Sequence, residues 1–256
     1  MNATLNYQDD IAIITLCRPE ARNALNKEMI QNIDDLLNRV IQSPPRVLIF
    51  AGQGEKAFCA GADITELQNK TPTEYLELSR KGQNVFNKIS NLSFPTLAVI
   101  KGAALGGGLE LAMACTFRIC SLNSKFGLPE IKLGLLPGYG GTQRLPRIVG
   151  YAKALELTLS GRIFDALEAK EIGLITQITA TEDSVQAGLD FLSSFGESFP
   201  ASTAFIIKAV QSALDLNITD GLTLESEMFL ASTQTKDASE GIQAFIEKRK
   251  AEFTNQ

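Results

Sequence analysis

The chain of 256 residues has no histidine and no tryptophan, and only four cysteines and four tyrosines. Without histidine, the side chain that most readily changes protonation near neutral pH is missing. Acid/base chemistry in this range must then come from carboxylates whose pKa is tuned by their surroundings. Cys17, Cys59, Cys115 and Cys120 have neither CxxC spacing nor histidine partners, which argues against a zinc site and a disulfide framework; they read as small buried residues, and no metal is expected. Cys59, in the loop Phe58-Cys59-Ala60-Gly61, lacks the base that would activate a thiol nucleophile. Positive charge is also scarce. Lys and Arg number 24 against 29 Asp and Glu, a net charge of −5, which counts against a broad polyanion-binding surface and a nucleic-acid partner. No apolar run approaches the roughly 20 residues that span a bilayer, so no membrane association is expected. The start, Met1-Asn2-Ala3-Thr4 followed by Asp9-Asp10, has neither the basic nor the apolar region of a signal peptide, and the cytoplasm is the expected compartment.

What is present is a 45% hydrophobic composition, enough for one large domain with a buried core and a smaller appendage. The first two-thirds alternates short β-branched runs with longer helical patterns, the mark of an α/β fold in which helices cover a sheet. Residues 11–16 read as a strand, and residues 25–41 as a helix with Met29, Ile33, Leu36, Leu37 and Val40 in helical rhythm. The continuous apolar run 47–51 suits a strand buried on both faces, with a loop following Gly52-Gln53-Gly54. Thr71-Pro72-Thr73-Glu74 predicts a capping box opening a helix to about residue 90. Residues 95–100 read as the next buried strand, leading through Gly106-Gly107-Gly108 into a helix over 109–114. Beyond about residue 180 the texture is helical alone, with segments at 182–195, 201–216, 219–232 and 237–252. The domains expected are a core over residues 1–195 and a helical region over 196–256.

Two glutamates set twenty positions apart stand beside glycine-containing turns: Gly106-Gly107-Gly108-Leu109-Glu110 and Gly127-Leu128-Pro129-Glu130. Taken singly, Glu110 could merely complement a helix dipole and Glu130 could be a solvated loop residue. A third turn, Ala60-Gly61-Ala62-Asp63, offers small residues whose backbone N–H groups can approach a ligand. Two such donors converging on one oxygen would form an oxyanion hole, suited to a carbonyl that develops negative charge. Gly138-Tyr139-Gly140 begins like a dinucleotide fingerprint, but Gln143 stands where the third glycine belongs. No P-loop and no Gly-x-Ser-x-Gly elbow occurs.

The stretches Ala57-Phe58-Cys59-Ala60-Gly61-Ala62-Asp63-Ile64, Ala104 to Ala112, and Phe126 to Ile131 through Pro137-Gly138-Tyr139-Gly140-Gly141-Thr142-Gln143-Arg144-Leu145 closely resemble the crotonase superfamily, specifically enoyl-CoA hydratases. The resemblance continues at Arg18 to Leu25 and at Ala244 to Lys250, so it spans essentially the whole chain. It implies a crotonase-like spiral of ββα units with a helical C-terminal region that mediates trimers, often paired into hexamers. It also implies an acyl-CoA thioester substrate, with coenzyme A part of the substrate and no separate cofactor. Carried over by position, the backbone N–H groups of Ala62 and Gly107 form the oxyanion hole. Glu110 and Glu130 hold a water between them, Glu130 donating the proton to C2 and Glu110 orienting and activating the water. Arg22, Ala24, Ala60, Asp63, Ile64 and Gly138 are implied substrate contacts, and Lys248 of a neighbouring subunit is implied at the coenzyme A phosphates. The resulting expectation is hydration of 2-trans-enoyl-CoA to 3-hydroxyacyl-CoA in fatty-acid β-oxidation. The alternatives are an enoyl-CoA isomerase, another acyl-CoA enzyme of the superfamily, or a non-catalytic or RNA-binding relative. Tyr139 stands where related hydratases often carry a smaller residue, which bears on acyl selectivity.

Overall fold

The apolar run near the start forms a strand, as its β-branched content predicts, and pairs back on the segment before it. β1 (Ala3–Gln8) and β2 (Ile11–Leu16) are antiparallel, with Leu5 opposite Ile14. Asn26 caps α1 (Lys27–Gln42) by accepting from Met29 N–H, and the helix buries Met29, Ile33, Leu37 and Val40 along one face. From there the chain repeats one unit three times. The first unit comprises β3 (Val47–Gly52), β4 (Ala57–Cys59) and α2 (Pro72–Ser90); the second comprises β5 (Thr96–Ile100), β6 (Ala103–Leu105) and α3 (Gly107–Ala114). The third comprises β7 (Phe117–Ser121), β8 (Lys125–Gly127), a 3-10 turn at Pro129–Leu133 and α4 (Gly141–Val149). Then follow α5 (Tyr151–Ser160), β9 (Phe164–Asp165), α6 (Ala166–Glu171), β10 (Gln177–Thr179) and α7 (Ser184–Ser193).

Each unit places one strand in each of two sheets. The larger sheet runs β1-β2-β3-β5-β7-β10, parallel from β2 onward, and the smaller runs β4-β6-β8-β9, parallel except at β9. Their buried strands are nearly continuous apolar runs, and Phe50, Phe58, Phe86, Phe126, Ile14 and Leu37 lie in the core with no exposed surface. In the smaller sheet Leu105 pairs with Gly127, so the residues just past β6 and β8 leave the sheet side by side. The carboxyl ends of parallel strands are where α/β sheets place their ligands.

The computed structural model describes residues 1–195 and 199–255. The chain divides into two units, Met1–Asp190 and Phe191–Gln256. The boundary expected between residues 195 and 196 adjoins residues 196–198, which lie outside the described residues. The second unit carries α8 (Ser202–Ser212), α9 (Ile218–Thr233) and α10 (Lys236–Glu247). Among the described residues no helix is long and apolar enough to cross a membrane.

Several sequence expectations hold and some need correction. The capping box at Thr71 forms, with Glu74 N–H donating to Thr71 Oγ1 at 3.3 Å and Thr71 N–H donating to Glu74 Oε2 at 2.7 Å. The loop expected after Gly54 contains β4, and β6 and β8 likewise escaped the periodicity, because strands of three residues offer too little alternation to read. α4, α5 and α6 also went unread. The last helix stops at Glu247 rather than 252, because Lys248 takes a left-handed conformation (φ 57°) and turns the tail back. Arg249 then pairs with Glu240 and Glu247, while Thr254 and Asn255 N–H donate to Asp237. Cys59, Cys115 and Cys120 are buried and Cys17 is half-buried; all four are free thiols.

Candidate active site

Three loops, one following the second strand of each unit, meet at the carboxyl end of the smaller sheet. The loop after β4 carries Gly61 and Ala62. Gly61 has φ +100°, and a Cβ there would lie 2.8 Å from Leu105 O and 3.3 Å from Gly107 N, so only glycine lets this loop come against the start of α3. Gly106, at φ 50° and ψ −127°, turns the chain from β6 into the helix in a conformation closed to other residues.

Those two glycines decide where two N–H groups point. Ala62 bridges Leu25 in parallel fashion: Leu25 N–H donates to Gly61 O at 2.8 Å and Asp63 N–H donates to Leu25 O at 3.0 Å. In such a bridge the flanking residues make the bonds, so Ala62's own N–H faces the other way. Gly107 is the first residue of α3, and the helical ladder begins later, with Glu110 N–H on Gly106 O at 3.0 Å. Gly107 N–H therefore belongs to the group of helix-start donors that have no acceptor within their own helix.

The Ala62 loop is braced from the Arg18–Leu25 turn. Buried Asn23 accepts from Arg18 N–H and donates to Gln53 O and Ala57 O, tying the turn to the end of β3 and the start of β4. Ala60 N–H donates to Arg22 O at 3.0 Å. Arg18 donates to Ala24 O and forms an ion pair with Asp63 at 3.2 Å. Asp63 in turn caps the 3-10 turn Ile64–Leu67, and its carboxyl lies below the usual range, owing chiefly to the Thr65 hydroxyl and also to Arg18. Ile64 is half exposed beside it. Arg22 and Ala24, through their carbonyls, and Ala60 and Asp63 thus belong to the turns that brace Ala62, with Ile64 next along the chain.

The glutamates come from the other two loops. Every residue of α3 is buried, an arrangement reserved for core helices, and Glu110 within it is only 1% exposed. A solvated partner of the helix dipole would not be so enclosed. Its Oε1 accepts from Tyr139 N–H at 2.8 Å and Gly141 N–H at 2.6 Å. Burial nevertheless dominates those bonds and, with the nearby Glu130 charge opposing ionisation, raises the Glu110 carboxyl from 4.5 to about 7. Glu130 follows β8 in the 3-10 turn and is also raised, chiefly by burial. Its Oε1 lies 3.0 Å from where a Gly106 Cβ would stand, and its buried Oε2 has no hydrogen-bond partner among the described residues. The Glu130 charge adds to burial in raising Glu110, so Glu110 exchanges its proton close to neutral pH. This is the proton inventory a histidine would otherwise supply.

Gly138 sits in the loop that holds Glu110, its carbonyl accepting from Ser79 Oγ at 2.7 Å and Gln83 Nε2 at 3.0 Å. Lys248 lies in the second unit, at the end of α10. Three contributors have no readable signature in the sequence. The Tyr139 and Gly141 amides position Glu110 through backbone atoms, which leave no residue-type signal. Arg144 donates to Tyr139 O at 2.9 Å and to Asn87 Oδ1 at 2.6 Å, stiffening the same loop; its only sequence signal is a charge in the first turn of α4. The Cys59 thiol is pushed up to about 12 by burial, which removes it as a thiolate nucleophile.

Comparison with known proteins agrees with this architecture. Residues 6–256 match the family model described as enoyl-CoA hydratase/isomerase. The crotonyl-CoA hydratase of Syntrophomonas wolfei is 38% identical over 98% of this chain and 97% of its own length. The short-chain-enoyl-CoA hydratase of Clostridium acetobutylicum is 36% identical over 98% of this chain and 97% of its own. The crystal structure of an enoyl-CoA hydratase from Bacillus anthracis superposes with a TM-score of 0.94 at 32% identity, covering all of both chains.

Proposed function

Because the chain belongs to the enoyl-CoA hydratase/isomerase family, we propose that it adds water across the double bond of a 2-trans-enoyl-CoA to give the 3-hydroxyacyl-CoA. The observation that carries this reading is the enclosed Glu110 carboxyl and the buried, unpartnered Glu130 Oε2 beside two glycine-shaped turns. In the reaction, the thioester oxygen accepts hydrogen bonds from Ala62 and Gly107 N–H, which stabilise the negative charge it gains as C3 is attacked; one such donor contributes about 2.7–4 kcal/mol. Glu110, fixed by two backbone amides, orients the water and takes its proton as the oxygen bonds to C3. Glu130, whose unpartnered Oε2 is free to engage a substrate, delivers a proton to C2, and the proton taken up by Glu110 then passes to Glu130, restoring both carboxyls. One water is consumed and no electrons are gained or lost, so the chemistry itself calls for no redox cofactor.

Arg22, Ala24, Ala60, Asp63, Ile64 and Gly138 are proposed to line the substrate path, with coenzyme A entering along the Arg18–Leu25 turn. The helical second unit exposes Ile206, Val210, Phe229, Leu230, Phe245 and Ile246, which supports its burial in a homotrimer or a hexamer of paired trimers, with Lys248 reaching a neighbouring subunit's coenzyme A phosphates. Fatty-acid β-oxidation is the pathway that fits the reaction.

The test follows loss of the conjugated enoyl-thioester absorbance of crotonyl-CoA. Glu110→Gln and Glu130→Gln are each expected to lower kcat by about a hundredfold or more, the range of general acid/base groups. Full activity in either variant, or double-bond migration in a 3-enoyl-CoA without hydration, would overturn the assignment.

A further inference from the structure

We propose that the Tyr139 ring is the end wall of the acyl pocket and confines this enzyme to short enoyl chains, an inference that rests on the hydratase reading above. Tyr139 is tied to the site at both ends of its backbone. Its N–H holds Glu110 at 2.8 Å, and its carbonyl is held by Arg144 at 2.9 Å, so the side chain projects from a fixed point beside the carboxylate that serves C3.

The ring is buried, 5% exposed, and occupies the space between α2 and the start of α3. On one edge it fills the place a side chain at position 82 would take: a Cβ on Gly82 would stand 2.3 Å from Cδ1 and 2.5 Å from Cε1. On the other edge it faces Gly107, where a Cβ would lie 3.1 Å from Cδ2. Phe86 packs edge-on at 5.7 Å between centroids. Glycine inside a helix is unfavourable relative to alanine, yet α2 carries Gly82 at the turn that receives this ring. Helix propensity has been given up there to seat an aromatic side chain against the residue whose N–H binds the thioester oxygen.

An acyl chain with its carbonyl at Ala62 and Gly107 and its C3 at the glutamates must send the rest of its carbons past this point. The space between α2 and α3 is apolar and adjoins C3, but the ring already fills it. Short chains end before the ring, and longer ones meet it. Removing the ring opens room bounded by Gly82, Phe86, Leu25 and Gly107.

The experiment compares kcat/KM for crotonyl-CoA and trans-2-octenoyl-CoA in the parent, Tyr139→Phe, Tyr139→Leu and Tyr139→Ala, with thermal melts as folding controls. The parent is expected to prefer the four-carbon chain, and Tyr139→Phe to keep the parent's ratio because it keeps the ring. Tyr139→Ala is expected to raise the octenoyl-to-crotonyl ratio at least about tenfold, since each methylene that gains apolar room contributes roughly a factor of four. Tyr139→Leu, which leaves less of a cavity, shifts the ratio in the same direction and decides the matter if Tyr139→Ala does not fold. A parent that turns over both chains equally well overturns the wall without recourse to any variant, as does an unchanged ratio in a folded Tyr139→Ala or Tyr139→Leu. Absence of turnover on both chains in a folded parent instead overturns the hydratase reading itself, and the wall with it.

Discussion

Replacing Glu110 by glutamine is expected to destroy catalysis and at the same time make the protein more stable above neutral pH. The reason lies in the enclosure of this carboxyl within α3. Its pKa rises from an ordinary 4.5 to about 7, led by burial, so the folded state binds a proton more tightly than the unfolded state does. The sign follows from linkage: between about pH 4.5 and 7 the folded chain carries more protons than the unfolded chain, and stability therefore falls as pH rises through that window. Below it the group is protonated in both states and costs nothing through ionisation; above it the full penalty applies. At ~1.4 kcal/mol per pH unit, the interval is worth about 3 kcal/mol. Glutamine keeps the shape and offers a carbonyl oxygen to Tyr139 and Gly141 N–H, but it cannot ionise. The value of about 7 already includes the opposing effect of those two hydrogen bonds on the ionised carboxyl, so they take nothing further from the gain. The net expectation is that Glu110→Gln is about 3 kcal/mol more stable than the parent at pH 8 and no more stable at pH 4.5. Urea melts at fixed protein concentration across pH 4.5–8 measure this directly. Parallel pH profiles for parent and variant would refute the reasoning, because they would mean that the buried carboxyl titrates normally. Glu130 contributes a slope of the same sign in both proteins and does not cancel from the parent's curve alone, so the comparison is made on the difference.

Two further substitutions probe the frame of the site. In Gly108→Ala, the new methyl would stand 2.1 Å from Cys59 O, a backbone atom, so α3 and β4 must part; a loss of about 1–3 kcal/mol in a denaturant melt and a fall in kcat as the two N–H donors separate are expected, whereas a neutral result would place the helix further from the strand. In Arg144→Gln, Glu110 loses a positive charge that favours its ionisation, so the acid limb of the pH–rate profile moves to higher pH; an unmoved limb would show that Arg144 acts on the Tyr139 loop alone.

Much of the site could be read from the residues. Gly61, Gly106 and Gly107 announced turns, and Glu110 and Glu130 announced carboxylate chemistry, because backbone freedom and acidity are properties of residue type. Thr71 to Glu74 specified its own helix start, since a capping box is closed within four residues. Local physics was silent on β4, β6 and β8, which are too short to show alternation and exist only because each lies against its neighbour. The same limit hid Tyr139 and Gly141, which act on Glu110 from 29 and 31 residues away through amide groups every residue possesses.

By itself, then, the sequence determined the kind of chemistry open to this protein: carboxylates in place of histidine, glycine where the backbone must approach a ligand, and strands and helices in alternation before a helical tail. Tertiary structure alone decided that the three turns share one end of one sheet, that Glu110 is shut away from water while Asp63 is paired with Arg18, and that an aromatic ring stands against Gly107. The division has a physical cause. Conformational preference is carried by each residue and its near neighbours, whereas desolvation, charge coupling and steric closure depend on which distant atoms displace the water, and that is settled only when the chain has packed.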